Sequence, residues 1–500
     1  MMQRSTRIKL LLIVASMTVL VRLPFFFHDV IDPDEGTFAL MGQDIVDGNL
    51  PYDKLWDLKP PLLFYFFAAT IAVFGKSIPA IRFSGLLCAF AAAWLIFLCA
   101  ERLGGARTGF IAAFLFIITS TLSETGAGTV SEIIAIVPLT AAMLVMLKDK
   151  VGARDFFFAG FFISLACLIR LNLAYVALAG GLLLLSGRFL RPHAAFFTRI
   201  CSYVAGGAIP LGLVFLPYVI AGKERLFSTA MIYAPLSYAD SQMSMIGAMH
   251  KYICTAFEPR SLLVNFPVLA CIACGAPRYF CRMKDFPDST KSFMAMLAVF
   301  AGATAVSILK SGAAYEHYLI QLLPFAAIIS AFFLDGLLDT RWKPLVLLLS
   351  VLYLILPARQ IALAYEPVVS RAMAGERLVY GPSYEIAEYL KTANPGSKPV
   401  YFMGAQMAEW LLGVKPISKE ATTPSNIGRE YLMKALDGPS ATTYSELAAI
   451  LDKKPEFIVK PAVVYYLLAH PRASALLSEV LFMDYEPVRQ IGLFVIYKRL

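Results

Sequence analysis

The residues that could do chemistry lie together in one stretch. From His28 to Pro61 the chain carries Asp29, Asp32, Asp34, Glu35, Asp44, Asp47, Asp53 and Asp57 against only Lys54 and Lys59, directly after an apolar run. So dense a set of acids beside a hydrophobic segment is costly unless the acids face water and are used there. A carboxylate in that position can act as a general base, taking the proton of an acceptor hydroxyl or amine as it attacks a sugar carbon. Asp34 is the leading candidate, with Glu35 beside it. A structural role also exists for the two, with Asp34 as N-cap of a helix over Gly36–Asp47 and Glu35 favouring its dipole, but that role uses few of the eight acids. Lys59 precedes Pro60 and Pro61. It is either a snorkelling lysine at a helix start or a fixed point charge for a phosphate group.

The surrounding chain is built for lipid. Of 500 residues, 58% are hydrophobic and 16% charged, where soluble domains carry about 25% charged residues. Mean hydropathy is +0.67. The net charge of +9 is spread in short clusters between apolar runs, which fits membrane topology and argues against nucleic acid as a partner. Seven of the eight cysteines lie in or beside apolar runs and Cys254 in a loop, and no disulfide framework or metal spacing emerges, Cys271 and Cys274 included. No Walker loop or dinucleotide fingerprint is present. An ATP-driven pump is therefore disfavoured.

Apolar windows predict about eleven transmembrane helices, near 8–28, 80–100, 108–123, 132–147, 155–170, 172–187, 200–221, 261–276, 292–309, 319–336 and 344–358. The basic run at the N-terminus lacks a signal-peptide cleavage site, so the first span is retained. The stretch Leu62–Phe74 decides the topology. If it does not cross the bilayer, Arg4/Arg7/Lys9, Arg102/Arg107, Lys148/Lys150/Arg154, Arg188/Arg191/Arg199, Arg278/Arg282/Lys284/Lys291 and Arg341/Lys343 all share the cytoplasmic side. It is also short, and Pro60-Pro61 is a natural helix start. The segment 60–75 is thus predicted to be a helix lying on the outer surface of the membrane. The N-terminus is then cytoplasmic, and the first loop, 29–79, faces outward with everything after Pro357.

Two domains follow: a transmembrane domain over 1–358 and a small α/β domain over 359–500. In the second, 398–404, 456–460 and 493–498 read as strands, and 383–391 and 463–480 as helices. It reads as a cap or an aid to acceptor binding rather than as a catalytic domain.

The pattern Asp34-Glu35-Gly36, Gly48-x-x-Pro51-Tyr52, Trp56-Asp57-x-Lys59-Pro60-Pro61-Leu62, then Gly75 and Arg82, resembles the first outer loop of polyprenyl-phosphate-sugar glycosyltransferases of the GT-C fold, which include protein O-mannosyltransferases and the bacterial lipid A aminoarabinose transferase. The resemblance is specific over roughly residues 20 to 135 and vaguer beyond. It implies a GT-C fold, a first-loop acid as catalytic base and a juxtamembrane helix after the proline pair. It implies a second acid at the outer end of the fourth span, where Glu132 stands in place of the usual Asp, with Glu124 as the alternative; Glu132 could equally be a first-turn helix acid. For the donor phosphate it points to Lys59, His317 and Tyr318, with Arg170, at the outer end of a short span, either binding phosphate or snorkelling. Tyr52, Trp56, Asp57, Arg82, Tyr233 and His250 are assigned to substrate-contacting loops, with Arg82 as a partner for the acidic loop.

The reaction so implied transfers a sugar from a polyprenyl-phosphate carrier to a lipid, glycan or protein acceptor on the outer face of a bacterial inner or plasma membrane. The activated donor supplies the energy. No ATP site is needed, and the acids could hold a divalent cation. The rival class is a transporter or flippase of a lipid-linked sugar, which predicts inverted repeats and ionisable residues near the bilayer midplane. The charges gather at span ends and outer loops instead.

Overall fold

A computed structural model of the chain describes residues 4–148, 151–184, 196–240, 243–258 and 268–500, apart from 274, 278, 280 and 282. The basic residues Arg188, Arg191, Arg278 and Arg282, Lys150, and Cys274, lie outside the described residues, as do parts of the spans read at 172–187 and 261–276. The chain divides into two compact units. One comprises 1–25, 82–214 and 242–374; the other comprises 26–81, 215–241 and 375–500.

Among the described residues, six helices are long and apolar enough to cross a membrane: Ser5–Phe26, Ile78–Gly104, Phe196–Ile220, Asp288–Ser311, Glu316–Leu338 and Lys343–Ala374. Shorter apolar helices include Pro61–Phe74, Ala106–Leu122 and Ser131–Met146. The short helices account for the difference from the eleven windows, since about 20 residues are needed to cross a bilayer at 1.5 Å per residue.

In the first unit, helix Arg4–Arg22 ends in a buried arginine that the apolar reading of this span passed over. Its guanidinium donates to the carbonyls of Gly126, Ala127 and Gly128, each at 2.9 Å. Three carbonyls satisfy a charge that would otherwise be expensive to bury, and the turn before helix Ser131–Met146 is thereby pinned to the first helix. At the other end of helix Ala106–Leu122, Thr108 donates to Asp335, which also pairs with Arg107.

The second unit is α/β. Its sheet has the order β1-β2-β4-β3, with β1 Val400–Phe402, β2 Phe457–Pro461, β3 Tyr485–Ile491 and β4 Phe494–Arg499. β1 and β2 are parallel, and the β2/β4 and β3/β4 pairs are antiparallel. Ile386 and Leu390 of helix Pro382–Ala393 pack with Val400, Phe402, Phe457, Val459 and Ile496 in its core. The three predicted strands match β1, β2 and β4. β3, with its burial pattern of mostly exposed residues, carries too weak an alternation to be read. The helix expected over 463–480 begins instead at Pro471 and runs to Asp484. Pro471 has no N–H to give to a preceding turn and holds His470 out of the helical region, so the helix starts there.

Candidate active site

The acidic loop belongs wholly to the second unit, and its local structure separates acids that build from an acid that is presented. Helix Asp34–Val46 begins at Asp34 itself. The flanking residue is Pro33; just before it, Asp32 Oδ1 accepts the Asp34 N–H at 2.8 Å, while Glu35 Oε2 accepts the Asp32 N–H at 3.4 Å. Asp34 is thus not the cap that local sequence suggested. Glu35 is completely buried and sits at the turn as a structural acid.

Asp29 serves a different helix. Its Oδ2 accepts the Ser383 N–H at 2.6 Å, at the start of helix Pro382–Ala393. Asp44 accepts from Asn49 and Asp47 from Gln43. Asp53 pairs with Lys223 at 2.7 Å. Asp57 is buried and accepts the Lys59 N–H at 3.3 Å on one oxygen and the Thr422 hydroxyl at 2.8 Å on the other. Burial pushes the Asp57 carboxyl up, and the neighbouring charge of Asp34 adds to this.

Asp47 is exposed just past the end of helix Asp34–Val46, whereas Asp34 stands at its start, with a carboxylate 39% exposed whose Oδ2 lies 3.2 Å from Lys59 Nζ, itself 20% exposed. The Lys59 ammonium also stands 5.7 Å from the centre of the Phe38 ring. A half-exposed carboxylate joined to an ammonium on a rigid helix start can accept a proton while the cation faces a phosphate.

Lys59 is held by its backbone. Tyr52 OH donates to the Lys59 carbonyl at 2.6 Å, and Asp57 takes its N–H. Tyr52 adopts φ +71°, uncommon for a bulky residue, and its ring is fully buried against Phe64 and Tyr218. Trp56, also buried, donates its backbone N–H to the Lys419 carbonyl at 2.7 Å, and its carbonyl accepts the Ala421 N–H at 2.9 Å, forming a bridge with Glu420. Tyr52, Trp56 and Asp57 therefore support the site from below rather than line it.

Two glycines let helix Asp34–Val46 sit closely among its neighbours. A Cβ on Gly36 would lie 2.5 Å from the Met407 backbone nitrogen, and one on Gly42 2.8 Å from the Phe67 side chain. The glycine after Asp34-Glu35 is thus required by helix Gln406–Leu412.

The first unit holds a second polar cluster. Glu132 and Arg170 form a buried ion pair. Arg170 also donates to Ser131 Oγ at 2.8 Å, and its guanidinium lies 4.6 Å from the centre of the Tyr318 ring. His317 Nε2 approaches Glu132 Oε1 at 3.8 Å. Asn172 accepts from Arg170 Nε at 3.3 Å and donates to Ser307 at 3.0 Å and Gln321 at 2.9 Å. Four of the predicted residues, Glu132, Arg170, His317 and Tyr318, thus meet. Asn172, Ser307 and Gln321 were not foreseen, because single polar residues in apolar runs give no periodic signal; an Arg-x-Asn at the end of a span was the cue available.

Of the other predicted residues, Arg82 is buried on helix Ile78–Gly104 in the first unit. Tyr233 is 60% exposed in the second unit, and His250 lies exposed on helix Met245–Ala256 of the first. Among the described residues, the carboxylates near enough to share a metal ion are Glu420, Asp437 and Glu446, where Lys419 already pairs with Asp437 at 3.1 Å.

Residues 58–220 match the family model described as dolichyl-phosphate-mannose-protein mannosyltransferase. A comparison with curated proteins gives no match. Among solved structures, the chain is similar to ArnT from Cupriavidus metallidurans bound to undecaprenyl phosphate, with a TM-score of 0.67 and 14% identity over 100% of this chain and 99% of that one. The apo state of the same protein gives 0.62 and 13% over 99% and 98%. An Archaeoglobus fulgidus oligosaccharyltransferase tethered to an acceptor peptide with the NVT sequon gives 0.51 and 13%, over 100% of this chain and 74% of that one. The fold is thus the GT-C fold, in a polytopic α-helical membrane protein with a small sheet near its C-terminus. Fold and family-model match together make the chain a membrane glycosyltransferase.

Proposed function

We propose that the chain transfers a sugar from a polyprenyl-phosphate carrier to a lipid, glycan or protein acceptor, with Asp34 as general base. One observation carries this reading: among the loop acids, Asp34 presents a part-exposed carboxylate at 3.2 Å from the Lys59 ammonium. The family model names a dolichyl-phosphate donor, and a fold neighbour was solved with undecaprenyl phosphate; both favour the enzyme over a transporter.

In this reaction the acceptor's proton passes to the Asp34 carboxylate as the acceptor atom bonds to the anomeric carbon. The bond from that carbon to the phosphate oxygen breaks, and the phosphate stays on the lipid with the extra negative charge. Lys59 is assigned to that charge.

The first loop and the C-terminal residues face the outside of a bacterial inner or plasma membrane in this reading, with the N-terminus in the cytoplasm and helix Pro61–Phe74 on the outer surface. The charge-cluster distribution supports that orientation; a reporter fused near Trp56 that proved cytosolic would overturn it.

The decisive experiment replaces Asp34 with Asn in the full chain. Sugar transfer from an undecaprenyl-phosphate-linked donor drops by about 10²- to 10⁴-fold, while the purified protein still binds the carrier lipid. Transfer at the wild-type rate sinks the assignment.

A further inference from the structure

We infer that the C-terminal α/β region carries an anion-binding cleft, separate from the Asp34–Lys59 pair, which takes a phosphate-bearing headgroup. The cleft has a volume of about 670 Å³ and is lined by Lys391, Lys398, Lys415 and Lys453 together with Asn394 and Gly413 among others; no carboxylate lines it. Its size is that of a small-molecule site rather than of a single ion.

A fifth ammonium stands behind the wall. Gly413 ends helix Gln406–Leu412 at φ +78°, and a Cβ there would be 3.3 Å from Lys76 Nζ. Lys76 is held 5.6 Å over the Trp410 ring. Burial pulls its ammonium below the ordinary lysine value; the Asp47 carboxylate opposes this and Lys391 adds to it.

The positive charge is only partly answered. Lys398 pairs with Glu456 at 3.0 Å and Lys453 donates to the Ile417 carbonyl at 2.7 Å. Neither Lys391 nor Lys415 forms an ion pair among the described residues. Like charges gathered around one concavity repel and lower stability; a bound polyanion removes that repulsion and gains charge-assisted hydrogen bonds. The chemistry is shared by a phosphorylated glycan and by an anionic membrane lipid, which are the two sources to separate.

The test uses the full-length protein in phosphatidylcholine nanodiscs, titrated by calorimetry with glucose 1,6-bisphosphate. Saturable binding is expected, with no binding of glucose. The double variant K391A/K415A, altered at two exposed side chains, binds at least about tenfold more weakly, the loss of roughly one charged hydrogen bond. The control K434A/K498A, on exposed lysines outside the cleft, binds as the wild type does. Repeating the titration in phosphatidylglycerol nanodiscs separates the sources: suppressed binding assigns the cleft to lipid headgroups, and undiminished binding assigns it to a glycan phosphate. Absence of saturable binding by the wild type in phosphatidylcholine, or equal binding by K391A/K415A, overturns the inference. Either result leaves the Asp34 assignment standing, since no transfer is measured.

Discussion

The hydroxyl of Thr422 donates to Asp57 Oδ1 at 2.8 Å and stands 2.9 Å from the hydroxyl of Thr37. Because an ionised carboxylate only accepts, Thr37 is the donor in the second bond. Thr37 is on the helix that begins at Asp34, and Asp57 holds the backbone of Lys59. One side chain from late in the chain therefore ties together both arms of the Asp34–Lys59 pair.

Replacing Thr422 with Val keeps the shape and removes that tie, leaving the buried Asp57 short of a donor at a cost of about 1–3 kcal/mol. The expected result is a fall in kcat of about tenfold or more, as small misplacements of reacting groups cost that much, with the donor KM little changed. Thr422→Ser restores the rate. A purely structural residue would lower thermal stability without this division between kcat and KM.

Gly36→Ala forces a Cβ to within 2.5 Å of the Met407 backbone. Backbone cannot move aside as a flexible side chain can, so the second unit loses about 1–3 kcal/mol. Thermal unfolding reads the loss directly, and transfer activity falls with it because the Asp34 helix must shift. An alanine variant as stable as the wild type would show that the two helices separate easily.

The Glu132–Arg170 pair is almost completely buried. Removing either partner alone, as Glu132→Gln or Arg170→Met, strands a charge and costs about 3–5 kcal/mol, whereas the double variant costs less than the sum. Arg170→Lys keeps the charge but loses the planar fork toward Ser131 and the stacking on Tyr318. It raises the donor KM about tenfold if Arg170 binds the phosphate. Unfolding midpoints test the first statement and steady-state kinetics the second.

Glu409 is buried on helix Gln406–Leu412, and burial holds its carboxyl well above the ordinary value. The folded state thus binds this proton more tightly than the unfolded chain, whose glutamate titrates near about 4.3. Its contribution is fully present below that value and is lost as pH rises through the folded value. Glu409→Gln removes the linkage. Its unfolding temperature is flatter with pH than that of the wild type, and exceeds it on the alkaline side by a few degrees, about 2–4 °C per kcal/mol. Parallel profiles for the two proteins would refute the assignment.

The sequence by itself determined what depends on composition and short spacing. Long apolar runs exclude a soluble fold, and Pro60-Pro61 starts a helix that the structure places over Pro61–Phe74. Alternating residues marked β1, β2 and β4. Asp34 and Lys59, 25 positions apart, were legible as a pair because both stand in one loop among residues that serve other ends. Only the tertiary structure decided which acids build and which acid is presented. Asp29 caps a helix 354 residues away, Thr422 reaches Asp57 across 365, and Arg22 bonds three carbonyls more than 100 residues on. Such bonds are made by single polar groups, whose partners are chosen by the packing of whole elements, and no periodicity along the chain records that choice.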